Sequence, residues 1–405
     1  MDVFLATQPI FDAENRVFGY EILYRENETN TFSEETDADF ASGNTLVRCF
    51  MDFGLPTLTN NTRAFVNFTT EFIKNEVATL FPKDQLVVEI LETVEITGEI
   101  LDACRKLKAH GYLLAIDDFV YQPGYEKLLP LVDIIKVDFK QSGPAEQAEI
   151  IRKYGRPGLS FLAEKVETQE EHDRALKQGY AYFQGYFYAR PSINRAKKLT
   201  PYSQTRIRLI NLLNEPEPDF RQIAGLVETD IAFSYEILRL VNSAYYSPAK
   251  PITSISFAIS VLGIEELRKW LYIVFISGLQ ENQPGELVRT SLLRGKVMEN
   301  LAEAAGRPHQ KSTMMTIGMF SLLDVLLERP MAEAIEGLHF PEEIKNALIG
   351  SGGEDFLHSC EEVAICYEHG VWQKATQQAG RIGITPQMLQ TAYANAVKWM
   401  ETFYL

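Results

Sequence analysis

QLVVEILETVEITGEILDACRKLKAHGYLLAIDDF, residues 85–119, is the stretch that decides the fold. It opens on an aliphatic, β-branched run, QLVVEIL (85–91). It then passes into TGEILDACRKLKAHG (97–111), where apolar residues recur at helical spacing, and returns to a second buried run, LLAIDDF (113–119). Short continuous apolar runs bounded by turn signals read as strands covered on both faces. A helix between two of them makes the strands parallel neighbours.

The same alternation continues in both directions. Upstream lie VFGYEIL (17–23) and RAFVNF (63–68); downstream lie DIIKVDF (133–139), LSFLAEKV (159–166) and YFQGYFY (182–188), with GPAEQAEIIRKYG (143–155) as a further helix. Strand and helix in alternation over this length imply a parallel sheet closed as a TIM-like (β/α) barrel. LATQPIF and VFGYEIL flank a polar DAENR turn, as a hairpin would, so one strand near the N-terminus is expected to run antiparallel. After Pro191 the texture changes. TRIRLINLLNE, DFRQIAGLVE, SYEILRLVNSAY and SFAISVLGIEELRKWLYIVFI all carry helical periodicity, punctuated by NEPEPD (214–219) and SPAKP (247–251). The expected organisation is a barrel over 1–195 and an all-α domain over 196–405, with the boundary near 192–203.

Of 405 residues, 46% are hydrophobic and 23% charged, and the formal net charge is −16. A surplus of that sign excludes a general nucleic-acid or anionic-membrane surface, which needs clustered Lys and Arg. The four cysteines (Cys49, Cys104, Cys360, Cys366) form no CxxC pair, so neither a zinc site nor a disulfide framework is suggested. MDVFLATQPIF lacks a basic leader, and the longest apolar stretch, around Trp270–Leu279, is about half a membrane span. The expectation is a cytoplasmic protein without membrane or nucleic-acid partners.

Nearly every strand ends in or near a polar residue: Glu21, Asn67, Glu89, Asp117 with Asp118, Lys136, Glu164, Gln184. In such a barrel the C-terminal strand ends converge on one mouth. A lone acid there is ordinarily a helix cap or a solvated loop residue; a succession of them is not. Five carboxylates and two amides brought together would repel one another without a cation, and oxygen-only ligands suit Mg²⁺ or Mn²⁺ rather than zinc. Two such ions would clamp both oxygens of an in-line phosphoryl displacement. Lys136 could orient the attacking water or balance charge.

The motifs carry a resemblance. QPIFDAENRVFGYEILYR resembles the opening of EAL domains, with EIL (21–23) standing for EAL and Arg25 for the motif arginine. FVNFT, VVEILE, AIDDF, IIKVD, LAEKVET and FQGYFYARP are similar to the family's VN-x-S, E-L-T-E, DDFG, L-K-I-D, AEGVET and QGY-x-F-x-x-P, in that order over about residues 5–192. The resemblance implies hydrolysis of cyclic di-GMP to the linear dinucleotide with two Mg²⁺ or Mn²⁺ ions. By position, Glu21, Asn67, Glu89 and Asp117 would ligate one ion; Asp117 would bridge to a second, with Asp118 and Glu164 around it. Lys136 would stand beside the attacking water. Gln8, Leu23, Arg25 and Gln184 would hold the substrate, and Glu92 would brace the loop after Asp118. Two departures stand out. The family's Gly-Thr-Gly hinge is replaced in DDFVYQPGYEKLL by Val120, Tyr121 and Pro123, which are expected to stiffen a moving segment, and the Gly of AEGVET is Lys165 here. The intervals from Asp117 to Lys136 and on to Glu164 are also shorter than the family's.

Residues about 204–395 resemble the HDOD domain, a relative of HD-type phosphohydrolases, through LRLVNSAYY, ITSISFAISVLG and IGMFSLLDVLLERPM. Catalytic HD domains need a His-Asp doublet, and His309, His339, His358 and His369 are not followed by Asp. The doublet that does occur, His172-Asp173, reads as a surface accident within the barrel. Tyr245-Tyr246 could mark a partner surface, although core packing is the more ordinary use. The helical half therefore reads as a regulatory module with a protein partner, and a homodimer is left open. Three functions stay in play: a metal-dependent phosphodiesterase tuned by its helical half, a cyclic di-GMP-binding adaptor with slow or no turnover, and a divergent hydrolase of another phosphodiester.

Overall fold

Eight strands close into a barrel in sequence order: β1 (Phe4–Asp12), β2 (Val17–Arg25), β3 (Arg63–Phe68), β4 (Leu86–Ile90), β5 (Leu113–Ile116), β6 (Ile134–Asp138), β7 (Ser160–Glu164) and β8 (Tyr182–Gln184). The computed structural model describes residues 4–25, 54–122, 124–185, 201–243, 251–279, 285–351 and 356–401. β1 pairs antiparallel with both β2 and β8, and every other neighbouring pair is parallel. The hairpin expected from the DAENR turn is thus the element that makes the barrel mixed. Asp12 builds that turn, its carboxylate accepting from the N–H groups of Glu14 and Arg16 at 3.0 and 2.9 Å.

Helices follow the strands for local reasons. Gly98–His110 starts at Thr97, whose hydroxyl accepts from the Ile100 N–H, and stops at Gly111 in the left-handed region. It buries Ile100, Leu101, Cys104 and Leu107, and Lys108 ties its end to Asp133 ahead of β6 at 2.6 Å. Gln169–Gln178 opens on a capping box: the Thr168 hydroxyl accepts from the Glu171 N–H, and the Glu171 carboxylate accepts from the Thr168 N–H. The end of the LAEKVET motif is therefore a helix start. His172 in that helix is buried, its ring 4.4 Å from that of Phe183. It is an interior residue, correcting the surface reading of the His172-Asp173 doublet, and only Asp173 of the two is exposed. The amphipathic register decides this, because His172 and Ala175 share the face turned to the barrel.

After the barrel the described residues contain helices and no strand, from Pro201–Leu213 to Pro386–Glu401. Asp219, Asp230 and Ser254 each cap a helix through the side-chain oxygen. Tyr272, Phe320 and Phe340 pack edge to face with ring centroids 4.9–5.9 Å apart, forming an aromatic core. The apolar stretch around Trp270–Leu279 lies in the kinked helix Ile255–Ser277, and no helix among the described residues is long and apolar enough to cross a membrane. Tyr245-Tyr246 lies outside the described residues. By its contacts the chain divides into two compact units, Met1–Arg190 with Ile365–Gly380 and Thr385–Leu405, and Pro191–Ala364 with Arg381–Ile384. The C-terminal helices thus group with the barrel, whereas the sequence reading placed them with the helical half.

β7 and β8 meet under a tight constraint. Gly185, directly after Gln184, has φ +142°, and a Cβ there would lie 2.2 Å from the carbonyl oxygen of Val166. The Val166 N–H donates to the Gln184 carbonyl at 3.0 Å, so neither backbone can yield without opening the ladder. Gly185→Ala should lower stability by about 1–3 kcal/mol, the usual range for overpacking. An unchanged unfolding midpoint would contradict this packing.

Candidate active site

Strand alternation builds the site in two layers. Ile10, Phe65, Val87, Ala115, Ile134 and Leu162 form a buried apolar cluster inside the barrel. Side chains repeat their facing every second residue, so the next inward position toward the mouth on each parallel strand is polar: Asn67, Glu89, Asp117, Lys136, Glu164. On β1, which runs the other way, the corresponding residue is Gln8, two before Ile10 rather than two after. Glu21 follows Gly19, where a Cβ would meet the Arg63 carbonyl at 2.8 Å and the Phe65 ring at 2.9 Å. The missing side chain is what lets Phe65 fill the floor beneath the carboxylates.

Lys136 stands at the centre of the polar layer and is fully buried. Its Nζ lies 2.7 Å from Glu89 Oε1, 2.7 Å from Asp117 Oδ1, 2.9 Å from Glu164 Oε1 and 3.5 Å from Glu21 Oε1. The first three are close, charge-assisted ion-pair contacts, and the fourth is longer. Gln184 Nε2 donates to Glu21 Oε2 at 2.5 Å and to Gln8 Oε1 at 3.0 Å. Among the described residues, Asn67 Oδ1, Glu89 Oε2, Glu164 Oε2, Asp118 Oδ1 and Gln184 Oε1 are buried without a hydrogen-bond donor. Orphaned acceptors at this density normally have a cation or water to satisfy them.

The electrostatics say the same. Burial pushes the Glu89 carboxyl well above the usual range, the Lys136 ammonium pulling it back only in part, and Glu21 and Asp117 push it further. Burial likewise raises Glu164, to about 8, against the opposing pull of Lys136. Burial would lower Lys136, but Asp117, Glu164, Glu21 and Glu89 outweigh it and hold the amine firmly protonated. One resident cation does not neutralise the layer. The donors are oxygen only, which suits a hard divalent cation. Among the described residues no three acidic, His or Cys side chains already converge on one cation-sized point, because the carboxylates close on Lys136.

Beyond this layer is a rim. Asp117 and Asp118 lie just past the end of β5, where the Asp117 N–H donates to the Ile90 carbonyl and the Phe119 N–H to that of Lys136. Asp118 has φ +39°. Two further residues stand at the rim: Asp138, which the sequence alone did not single out, and Lys165, which it marked only as standing where the resembled motif has Gly. Asp138 is the next inward position after Lys136, and Lys165, with φ +55°, hydrogen-bonds its carboxylate and stands 3.9 Å from Asp118 Oδ1. The period of two along IIKVD was the signal for Asp138. Burial raises Asp138, but the Lys165 ammonium and the N–H groups of Lys140 and Gln141 hold it below the carboxylate range.

The remaining predicted residues sit apart from the buried layer. Leu23 is half-buried, and a Cβ on Gly370 would meet its Cδ1 at 2.8 Å, so the turn at Gly370 presses against it. The Glu92 side chain is exposed; its carbonyl accepts from Gln122 Nε2 of the altered loop at 3.0 Å. The side chain of Arg25 and the whole of Pro123 lie outside the described residues. In the same loop Tyr121 stacks on Tyr154 at 6.0 Å and 11°, Lys153 lies over both rings, and Phe119 packs against Tyr125 and Tyr154.

A barrel with an acidic, lysine-centred mouth followed by a helical unit now meets its relatives. A family model for the EAL domain matches residues 2–191 and one for the HDOD domain matches 199–332. Over 98% of this chain and 98% of its own length, the Bacillus subtilis (strain 168) uncharacterized protein YuxH is 36% identical. The cyclic di-GMP phosphodiesterase CdgJ of Vibrio cholerae serotype O1 is 33% identical over 98% of this chain and 92% of its own. The chain belongs to this family of EAL–HDOD proteins. Among solved structures, the calcium and cyclic di-GMP complex of Klebsiella pneumoniae BlrP1 is similar at 25% identity, covering 47% of this chain and 56% of that one with a TM-score of 0.38.

The raised carboxyls fix a pH dependence. Between the ordinary Glu value and about 8, the folded, metal-free protein holds protons on Glu89 and Glu164 that the unfolded chain has released. A state that binds more protons loses stability as pH rises, so the unfolding midpoint of metal-free protein should fall from pH 5 toward pH 8, less steeply in Glu164→Gln. A cation displacing those protons should raise the midpoint more at pH 8 than at pH 6. A midpoint flat with pH in both proteins would contradict the assignment.

Proposed function

We propose that the protein is a divalent-cation-dependent phosphodiesterase that opens cyclic di-GMP to linear pGpG at the mouth of its barrel. The observation that carries this reading is the buried all-oxygen layer around Lys136, where Asn67 Oδ1, Glu89 Oε2 and Glu164 Oε2 remain without a donor after Lys136 is paired. Membership in a family that includes the phosphodiesterase CdgJ supports the substrate.

Glu21, Asn67, Glu89 and Asp117 would hold one Mg²⁺ or Mn²⁺, and Asp117, Asp118 and Glu164 a second. When bound, the cations supply charge stabilisation for the phosphorane and a water of lowered pKa. Lys136, kept protonated by its carboxylates, donates to the attacking water and holds it on the phosphorus. Glu164, in its ionised form, accepts the water's proton. One P–O3′ bond breaks, the leaving oxygen takes up a proton, and the new P–O bond leaves a 5′-phosphate on pGpG. Gln184, fixed by Glu21 and Gln8, presents the free side of its amide to the substrate, with Leu23 and Arg25 at the rim. Glu92 positions the loop after Asp118. We assign the helical domain a regulatory role exercised through protein contact.

The test is direct: purified protein with cyclic di-GMP and Mn²⁺ should yield pGpG. Glu21→Ala should abolish the product while leaving the unfolding midpoint near or above wild type, since it removes one like charge from a crowded cluster. Loss of fold together with activity would make Glu21 structural.

A second reading, binding with slow turnover, draws on the loop. Tyr121 pinned on Tyr154 and Gln122 on the Glu92 carbonyl anchor a segment that the resemblance gives a Gly hinge. Positioning errors of about 1 Å can cost on the order of 100-fold in rate. Tyr121→Ala should therefore raise kcat while leaving the affinity for cyclic di-GMP in Ca²⁺ unchanged. A fast wild type that this substitution does not accelerate would dismiss the second reading.

A further inference from the structure

Lys165 adopts a left-handed backbone, φ +55°, that is costly for residues with a side chain and free for glycine. Its place in LAEKVET is the one that the resembled motif gives to Gly. The chain thus accepts backbone strain to put an ammonium at this point, and the ammonium is held there. Asp138, its hydrogen-bond partner, is buried, and its Oδ1 is fixed by the N–H groups of Lys140 at 2.7 Å and Gln141 at 3.1 Å. Gln141 Nε2 donates to the other oxygen, Oδ2, at 3.0 Å. From this anchor Lys165 Nζ faces Asp118 Oδ1 at 3.9 Å, an oxygen that is buried without a hydrogen-bond donor among the described residues.

We infer that Lys165 is a tethered cation that takes over the charge role of the second divalent ion, so that the chain binds one divalent cation tightly in the inner layer and a second only weakly at the rim. The inference rests on the metal-dependent reading above. Its physics is competition: a monovalent charge already paired with Asp138 and set against Asp118 must be displaced or repelled before a second ion can enter. Lys165 is paired with Asp138 and faces Asp118, so the inner set, Glu21, Asn67, Glu89 and Asp117, keeps its affinity.

The experiment is a Mn²⁺ titration of the full chain, followed by the electron paramagnetic resonance of free Mn²⁺ and by calorimetry. It compares wild type with Lys165→Gly and Lys165→Asn, two residues that tolerate the left-handed backbone and so preserve the fold. The expected result is one tight site in wild type and two in both variants, the second tightened at least roughly tenfold by loss of the competing charge. Dipolar broadening between paired ions should appear in the variants alone. Two equally tight sites in wild type, or an unchanged second site in the variants, would overturn the role of Lys165 and leave the metal-dependent reading standing. No Mn²⁺ bound by any of the three proteins would sink both.

Discussion

A single lysine ammonium inside a ring of carboxylates is the constraint around which the rest of this molecule is arranged. Lys136 has no access to solvent, and its charge is tolerable there only because Glu89, Asp117 and Glu164 stand within 3 Å. The carboxylates in turn are tolerable only because Lys136 is there. Neither half could be buried without the other, yet the ring holds more carboxyl groups than one ammonium keeps ionised. That imbalance makes the mouth a receptor for further positive charge, and the function follows from it.

The barrel earns its place by geometry. Parallel strands fix all inward side chains at one height, and an apolar floor from Ile10 to Leu162 seals the polar layer from below. The antiparallel β1 adds what a parallel strand could not at that register, because its inward residue toward the mouth precedes the floor residue. Gln8 therefore reaches Gln184 at 3.0 Å, and Gln184 reaches Glu21, closing the layer across the seam.

Much of this was legible in the sequence. Strand–helix alternation, the hairpin and the polar strand ends are local patterns, and local patterns with a period of two or 3.6 survive folding. Glu21, Asn67, Glu89, Asp117, Lys136, Glu164 and Gln184 could be named because each lies at or near the end of an apolar run. What escaped depends on backbone conformation or on distant contact. Asp138 was within the same periodicity but followed a residue that already had a role. Lys165 was seen only as a missing glycine, since nothing in the letters says that the chain holds φ +55° and directs an ammonium at Asp118. The burial of His172 depends on which face of its helix meets the barrel. The pressure of Gly370 on Leu23 joins positions far apart in the chain, and only tertiary structure reveals it. The altered loop was read as stiffened by Val120, Tyr121 and Pro123; the structure adds the stacking of Tyr121 on Tyr154.

The central claim is that the oxygen layer around Lys136 receives a divalent cation. Anomalous diffraction from crystals grown with Mn²⁺ tests it most directly, because it locates the ion without reference to turnover. The account predicts a strong peak bounded by Glu21, Asn67, Glu89 and Asp117, with the Lys136 ammonium drawn aside toward Glu164. A layer still closed on Lys136, with manganese elsewhere or nowhere in the barrel, would contradict it.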